Sequence, residues 1–440
     1  MKKISIAVFC ILMGVFMFAN CCAMENVRRG QRGEAVKEVQ EMLIAQGYLD
    51  GAADGVFGSR TEAAVLAFQK DNGLDATGIV GEATYNALKG KPGENGAEAD
   101  ETAQIDYDAL FPSWNPDSAS LKALVDFVTD CVDESSPNYL DPADRIATFD
   151  MDGTVLCEKA PVYMDWCLTM YRVLDDPTYS ATEEERDAMQ QIREHAYTNG
   201  ETYHPEGITK DNMVAKAFAG MTPDEFRAYV VDFADKVDVV GFEGMTYAQS
   251  FYRPMLEVID FLRANDFDVW MVSACEREVV RALMERCGFP YDHIIATDVP
   301  YAASGKGDED ADEYNMAQDE VIVLGMPLDD VEVGKSGKPA AIAREIGKRP
   351  VLAFGNSSGD YSMLNYAKGN PDHEGMGFII VCDDTEREYG SDEKAAGFYE
   401  NAAAEGWTAI SMANDWKVIY GDDVKKTELP YAEQEFSDAA

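Results

Sequence analysis

The chain has 440 residues, long enough for two or three domains and too long for one ordinary core. Its 46% of apolar residues and full set of aromatics place it among folded, globular chains rather than disordered ones. Against 37 basic side chains stand 81 acidic ones, a formal net charge of −44, which argues against nucleic acid or anionic lipid as a partner and reads as a solubility feature.

Lys2 and Lys3 precede an apolar stretch from Ile4 to Ala19 that is short for a spanning helix. Residues 1–23 therefore read as an export signal, with cleavage after Ala23. Cys21 and Cys22 leave a lipid anchor open, although Asn20 sits where a lipobox expects a small residue. Six cysteines follow (Cys131, Cys157, Cys167, Cys275, Cys287 and Cys382); export permits disulfides among them, and the sequence does not choose a pairing.

Residues 24–90 have their own rhythm. Val36, Val39, Leu43 and Ile44 recur at helical spacing, with Gly47 as a stop. Asp54-Gly55-Val56-Phe57-Gly58 predicts a turn, and Thr61 then reads as the N-cap of a second helix carrying Ala64, Val65 and Phe68, stopped by Gly73. Gly81 to Thr84 lead into a third helix ending near Leu88. With Gly33, Gln40, Tyr48, Gly51, Gln69, Leu74 and Gly78 at their places between these, residues 28–88 resemble the peptidoglycan-binding domain found on many cell-wall hydrolases. The resemblance implies peptidoglycan as a partner, and the cell wall or extracellular surface as the location.

Residues 91–109 hold Pro92, Gly93, Gly96 and many Glu, Asp and Ala with little to bury, and predict an acidic linker. Asn115-Pro116 then suggests a helix start, with Leu121, Leu124, Val125 and Val128 lining one side. Beyond it the chain alternates strand-like and helix-like segments, which predicts a doubly wound, mostly parallel α/β sheet. The strands read are Arg145–Phe149, Val269–Val272, Pro350–Phe354 and Phe378–Val381. Residues 156–249 look helical, with capping boxes at Thr182–Glu185 and Thr222–Glu225. They are far longer than one crossover needs, so they predict a cap inserted into a core of 110–155 and 250–440.

Small polar and acidic clusters fall at the predicted strand ends, where ligands of open α/β sheets bind. Asp150-Met151-Asp152-Gly153-Thr154 follows the first strand, Ser273 the second, and Gly355-Asn356-Ser357-Ser358-Gly359-Asp360 the third; Lys338 opens the helix Gly337-Lys338-Pro339-Ala340-Ala341-Ile342. In this order the four clusters resemble the haloacid dehalogenase superfamily over residues 110–420, in its phosphatase branch near phosphoserine-phosphatase-like enzymes.

The resemblance implies that Asp150 is the nucleophile forming an aspartyl-phosphate, and that Asp152 is the acid and then the base. It further implies Ser273 and Lys338 as phosphate-binding residues, and Mg2+ held by Asp150, by the backbone carbonyl of Asp152 and by Asp360. Lys335, close by in sequence, is the rival for the lysine role. Asn356 stands where many relatives have aspartate; an amide still ligates or orients a metal-bound water but brings no charge. The acid at Asp152 favours phosphomonoester hydrolysis, because members that cleave carbon–halogen bonds lack it and ion-pumping ATPases carry threonine there. A small phosphorylated substrate is the implied partner.

Other features are read more plainly. His195, His204, His293 and His373 have no ligand spacing. The run Asp308–Asp312 lacks the glycine that a calcium loop needs at its sixth position, which is Glu313. In the cap, Glu158, Tyr163, Trp166 and Tyr203 are candidates for substrate contact, the aromatics being more simply explained by packing. Two rivals stay open at this point: a wall-binding protein with a silent hydrolase-like half, and a phosphotransferase.

Overall fold

In a computed structural model of the protein, the described residues are most of 27–89, nearly all of 105–306, parts of 316–324, and 333–432. The predicted export signal with Cys21 and Cys22, linker residues 91–104, the acidic run 308–312, and Gly51, Asp54 and Gly73 lie outside them. The chain divides into two compact units, residues 1–104 and 105–440.

The smaller unit contains α1 (Glu34–Ala45), α2 (Ser59–Asp71) and α3 (Glu82–Lys89) around Val39, Leu43, Phe57, Val65, Phe68 and Val80. Gly58, not Thr61, precedes α2; Thr61 lies inside the helix, and its hydroxyl accepts from Gln40 Nε2 at 3.0 Å. Two buried glutamines do matching work. Gln40 Oε1 accepts from Gly55 N (2.8 Å) while its Nε2 donates to Val56 O (3.1 Å). Gln69 Oε1 accepts from Gly78 N (2.9 Å) while its Nε2 donates to Ile79 O (2.8 Å) and Thr84 Oγ1 (3.0 Å). Each amide gives a buried loop N–H (Gly55 or Gly78) its acceptor and ties down the loop ahead of the next helix.

The larger unit opens with α4 (Tyr107–Leu110), inside the stretch read as linker, where Asp106 accepts from Ala109 N at 3.1 Å. α5 (Ala119–Val132) starts later than Asn115-Pro116 suggested. Asn115 O accepts from Ser118 N in a turn (2.9 Å), and Ser118 Oγ caps the helix through Leu121 N at 3.1 Å. There follow β1 (Ile146–Phe149), α6 (Met164–Leu174), α7 (Glu183–Asn199), α8 (Lys210–Ala217), α9 (Pro223–Lys236), β2 (Phe242–Glu243), α10 (Arg253–Ala264), β3 (Asp268–Glu276), α11 (Arg277–Met284) and β4 (Ile294–Thr297). Then come β5 (Tyr301–Ala303), β6 (Ile322–Leu324), α12 (Gly337–Glu345), β7 (Leu352–Gly355), α13 (Tyr361–Lys368), β8 (Met376–Val381), α14 (Asp392–Glu405), β9 (Thr408–Ser411) and β10 (Lys425–Lys426).

Six strands form one parallel sheet in the order β4-β3-β1-β7-β8-β9, which is the predicted doubly wound class. β4 and β9 are the two sheet members not read from the sequence. From β1 the chain winds outward through β3 to β4, then returns to β7 on the other side of β1, so the direction switches at β1. β1 and β7 are buried along their whole length, as a sheet covered on both faces requires.

The segment between β1 and β2 is helical, α6 to α9, and both predicted capping boxes form. At the chain's other end β10 pairs antiparallel with β2, and Lys426 Nζ donates to Thr385 O (2.9 Å) and Glu388 O (2.8 Å). The six cysteines of this unit are free thiols. No helix among the described residues is long and apolar enough to cross a membrane.

Candidate active site

A parallel sheet puts all its strand C-termini on one edge, and β1 ends at the middle of that edge between β3 and β7. Asp150 N still donates to Phe354 O of β7 at 2.9 Å, so the first residue past β1 is held by the ladder. The chain then folds back, with Gly153 N donating to Leu156 O (2.6 Å). Gly153 has φ +79°, and a Cβ there would lie 2.0 Å from Asn356 Nδ2; the motif needs glycine on both counts.

Lys338, at the start of α12, is the hub of the site. Its buried ammonium donates to Asp150 Oδ1 (2.5 Å), Asp360 Oδ1 (2.7 Å) and Val272 O (2.8 Å), which uses all three of its hydrogens. Burial alone would lower its pKa; the charges of Asp150 and Asp360 outweigh that and hold it well above the ordinary lysine value. Lys335 lies one turn earlier, at φ +47°. Asp360 stands at the N-cap position of α13, yet its carboxylate makes no side-chain cap bond to that helix. Its Oδ2 accepts from Asn356 N (3.0 Å), Ser357 N (3.0 Å) and Ser357 Oγ (3.1 Å), which locks the loop after β7.

Asp152 is buried in a different setting. Its Oδ2 accepts from the Cys275 thiol (Sγ to Oδ2 2.8 Å), and its Oδ1 has no hydrogen-bond partner among the described residues. Burial is the main force pushing this carboxyl up to about 6. Thr154 Oγ1 lies 3.5 Å from Asp150 Oδ2 and 3.4 Å from Asn356 Oδ1. Asn356 also hydrogen-bonds Glu158, whose carboxyl is raised first by burial.

Ser273 is inside β3 rather than at its end. The strand continues to Glu276 through an irregular stretch, with the register to β4 shifting between Val272 and Glu276. Ser273 Oγ accepts from Cys275 N within that bulge (3.1 Å), and the preceding carbonyl, Val272 O, is the one that Lys338 binds. The structure thus gathers Asp150, Lys338, Asp360, Asn356 and the Val272–Ser273 stretch around one point, with Asp152 beside it.

The donor set suits a hard divalent cation. Asp150 and Asp360 are buried carboxylates that share one ammonium, and Asp150 is pushed up to about 7, first by burial and then by the charge of Asp360. The site is short of positive charge and rich in oxygen donors, the chemistry that Mg2+ prefers. Among the described residues no cluster of three or more His, Cys, Asp and Glu side chains is arranged as metal ligands; this candidate set has two carboxylates with carbonyl and amide oxygens.

Of the insertion residues singled out, Trp166 is buried in the core, while Tyr163 and Tyr203 are exposed, Tyr203 stacked on His195. Cys275 was missed, although strand alternation puts it on the same face as Ser273. Lys210 and Asp165 were also missed, and carry no local signal. Lys210 Nζ donates to Ala274 O (2.5 Å) and lies 3.3 Å from Asp165 Oδ2.

With this geometry in view, residues 147–365 match the family model of haloacid dehalogenase-like hydrolases, and residues 32–88 that of peptidoglycan binding domains. The larger unit is a haloacid dehalogenase-type hydrolase domain, and the smaller unit is a domain of the peptidoglycan-binding family.

Among curated proteins, the N-acetylmuramoyl-L-alanine amidase CwlM of Mycobacterium tuberculosis is 37% identical over 122 residues, 25% of this chain and 29% of the amidase. A spore cortex-lytic enzyme of Bacillus cereus is 34% identical over 91 residues, 19% of this chain and 35% of that enzyme. The chain spans about a third of the length of the curated relatives it matches. Among solved structures, a protein of Bordetella pertussis Tohama I is 18% identical, covering 60% of this chain and 97% of its own, with a TM-score of 0.39. The SleB N-terminal domain is 38% identical over 15% of this chain and 89% of its own, with a TM-score of 0.15.

Proposed function

We propose that the protein is an exported, wall-associated phosphatase that hydrolyses a small phosphomonoester through an aspartyl-phosphate on Asp150. The observation that carries this reading is the three-way contact of Lys338 with Asp150, Asp360 and the β3 carbonyl beside Ser273, formed at the switch point of the sheet. A buried ammonium pinned at the nucleophile is placed to draw a phosphoryl oxygen toward the attacking carboxylate.

In the first half-reaction a carboxylate oxygen of Asp150 attacks phosphorus, the ester P–O bond breaks, and the leaving oxygen takes the proton of Asp152. In the second, Asp152 receives a proton from water as that water attacks phosphorus, which releases phosphate and restores Asp150. The unpartnered Oδ1 of Asp152 is free to carry this proton, because Oδ2 is engaged by Cys275. Ser273 donates its hydroxyl hydrogen to a phosphoryl oxygen, Lys338 attracts the phosphoryl group through its charge, its three hydrogens being engaged, and Thr154 with Asn356 supports the Asp150 side. Mg2+ would be held by Asp150, Asp360, the Asp152 carbonyl and water, with Asn356 beside it, and would supply the positive charge that two buried carboxylates and a phosphate dianion lack.

The N-terminal apolar stretch, after two lysines, supports export, and the peptidoglycan-binding-type unit supports attachment at the wall or the extracellular surface. Cys21 and Cys22 keep lipidation within this reading. The test is a phosphate-release screen of the purified chain over p-nitrophenyl phosphate, sugar phosphates, nucleotides, phosphoamino acids and phosphocholine, with Mg2+ and with EDTA. Magnesium-dependent release supports the reading. No release from any ester, beside firm co-sedimentation with peptidoglycan, would turn it into a wall-binding protein with a silent hydrolase unit. Phosphoryl transfer to an added alcohol in preference to water would make it a phosphotransferase.

A further inference from the structure

The irregular stretch of β3 that carries Ser273 and Cys275 is not held by the sheet alone. Where the register to β4 shifts between Val272 and Glu276, the backbone needs other partners. Ala274 O accepts from Lys210 Nζ (2.5 Å) and from Thr297 Oγ1 (3.0 Å). Cys275 N donates to Ser273 Oγ (3.1 Å), and Glu276 N donates to Asp165 Oδ2 (3.0 Å). Lys210 opens α8 and Asp165 lies in the first turn of α6, so both belong to the helical insertion. They are paired with each other at 3.3 Å, and Asp165 is wholly buried. The insertion therefore supplies one acceptor, Asp165, and one donor, Lys210, to the bulge, and the two pair with each other, with Asp211 3.9 Å from the same ammonium. The side chains that the bulge presents are Ser273, beside the Lys338 hub, and Cys275, whose thiol holds Asp152 Oδ2.

We propose that Lys210 and Asp165 are positioning residues, and that their pairing sets the bulge of β3 in its catalytic form. Docking of the insertion and assembly of the Ser273–Cys275 side of the site are then one event. A substrate that seats against the insertion gains a correctly placed Asp152 and Ser273, and one that displaces the insertion loses both. This gives the insertion a direct mechanical line to the chemistry, beyond shielding the site from water. The pair acts as a unit because each member satisfies the other's charge in a buried place. Removing Lys210 leaves Asp165 buried without its cation, removing Asp165 leaves Lys210 only the more distant Asp211 (3.9 Å), and removing both spares these penalties.

The inference rests on the catalytic reading of Asp152 and Ser273, and its test has an arm that does not. In the full chain, Lys210→Met and Asp165→Asn are compared with the parent by hydrogen exchange of the peptide spanning residues 273–277. About tenfold or faster exchange of that peptide is expected, with β1 and β7 unchanged. Unchanged protection of the bulge, or faster exchange spread evenly over the whole unit, would overturn the proposal. On p-nitrophenyl phosphate each variant is expected to lose roughly ten- to a hundredfold in kcat with KM within about twofold, the signature of misplaced groups rather than lost binding. Lys210→Arg, which keeps a charged donor, should recover most of that loss. The double variant should be no worse than the weaker single one; a double loss equal to the product of the two would contradict action as a unit. A parent that hydrolyses no ester would sink the phosphatase reading alone, and the exchange arm would still decide this one.

Discussion

Asp150 and Asp152 belong to the same five-residue motif and meet opposite surroundings. Asp150 is held by elements of the sheet layer: the β7 ladder, the ammonium at the head of α12, and the loop locked by Asp360. Asp152 meets a thiol, keeps one oxygen unengaged, and shares its side of the site with an ion pair from the helical insertion. Burial raises both carboxyls, and a cation opposes it at each: the Lys338 ammonium in direct contact with Asp150, and the charge of Lys210 acting on Asp152. In the proposed reaction Asp150 bears the phosphoryl group, and Asp152, with one oxygen unengaged among the described residues, carries the proton of the leaving group. The two halves of the chemistry are thus assigned to different layers of the fold.

Substitutions on either side should separate these layers. Asp152→Asn removes the proton carrier and should lower kcat by about 10²- to 10⁴-fold, with the larger losses on esters that have poor leaving groups. A loss independent of the leaving group, read across a series of aryl and alkyl phosphates, would break the assignment. Lys338→Met removes the positive charge on the phosphoryl side and should lower kcat by about 10²- to 10³-fold, with similar losses for every ester. Cys275→Ala takes one hydrogen bond from Asp152 and should cost about tenfold or less in kcat, without the uniformity across esters seen for Lys338.

Glu388 sharpens the comparison from outside the site. It too is buried and pushed up to about 7 from an ordinary 4.5, first by burial, although it accepts from Tyr420 Oη and from Tyr389 N (3.0 Å). Its folded pKa is the higher one, so the stability it contributes is complete below 4.5 and is lost as pH rises to about 7. Denaturant unfolding against pH should show Glu388→Gln flattening that window by on the order of 3 kcal/mol, with kcat unchanged. An unaltered pH profile of stability would contradict the raised pKa.

The meeting of Asp150, Lys338 and Asp360 was legible in the sequence because short motifs encode it. A strand followed at once by Asp150, a helix led by Lys338, and a glycine-framed loop ending in Asp360 each place a side chain by local geometry. The doubly wound, mostly parallel class could then be inferred from the alternation of elements, although β4 and β9 escaped notice, being four-residue strands without a motif at their ends. The surroundings of Asp152 depend on long-range packing. Lys210 reaches Ala274 across 64 positions of sequence, and Cys275 meets Asp152 across 123, by contacts that no periodicity announces. Two helix starts, unlike the capping boxes of α7 and α9, were misplaced for a related reason. At α2 and α5 several residues could cap, and tertiary demands such as the bond from Gln40 to Thr61 decided between them.

The central claim is that phosphate passes through a covalent bond to Asp150. The most direct measurement is acid quench of the enzyme during turnover, borohydride reduction of any acyl-phosphate, and mass analysis of the peptide containing residue 150. Homoserine at position 150 in the parent, and none in an inactive Asp150→Asn variant, is the predicted result. Full turnover by Asp150→Asn, or acyl-phosphate trapped at a different carboxylate, would contradict the account.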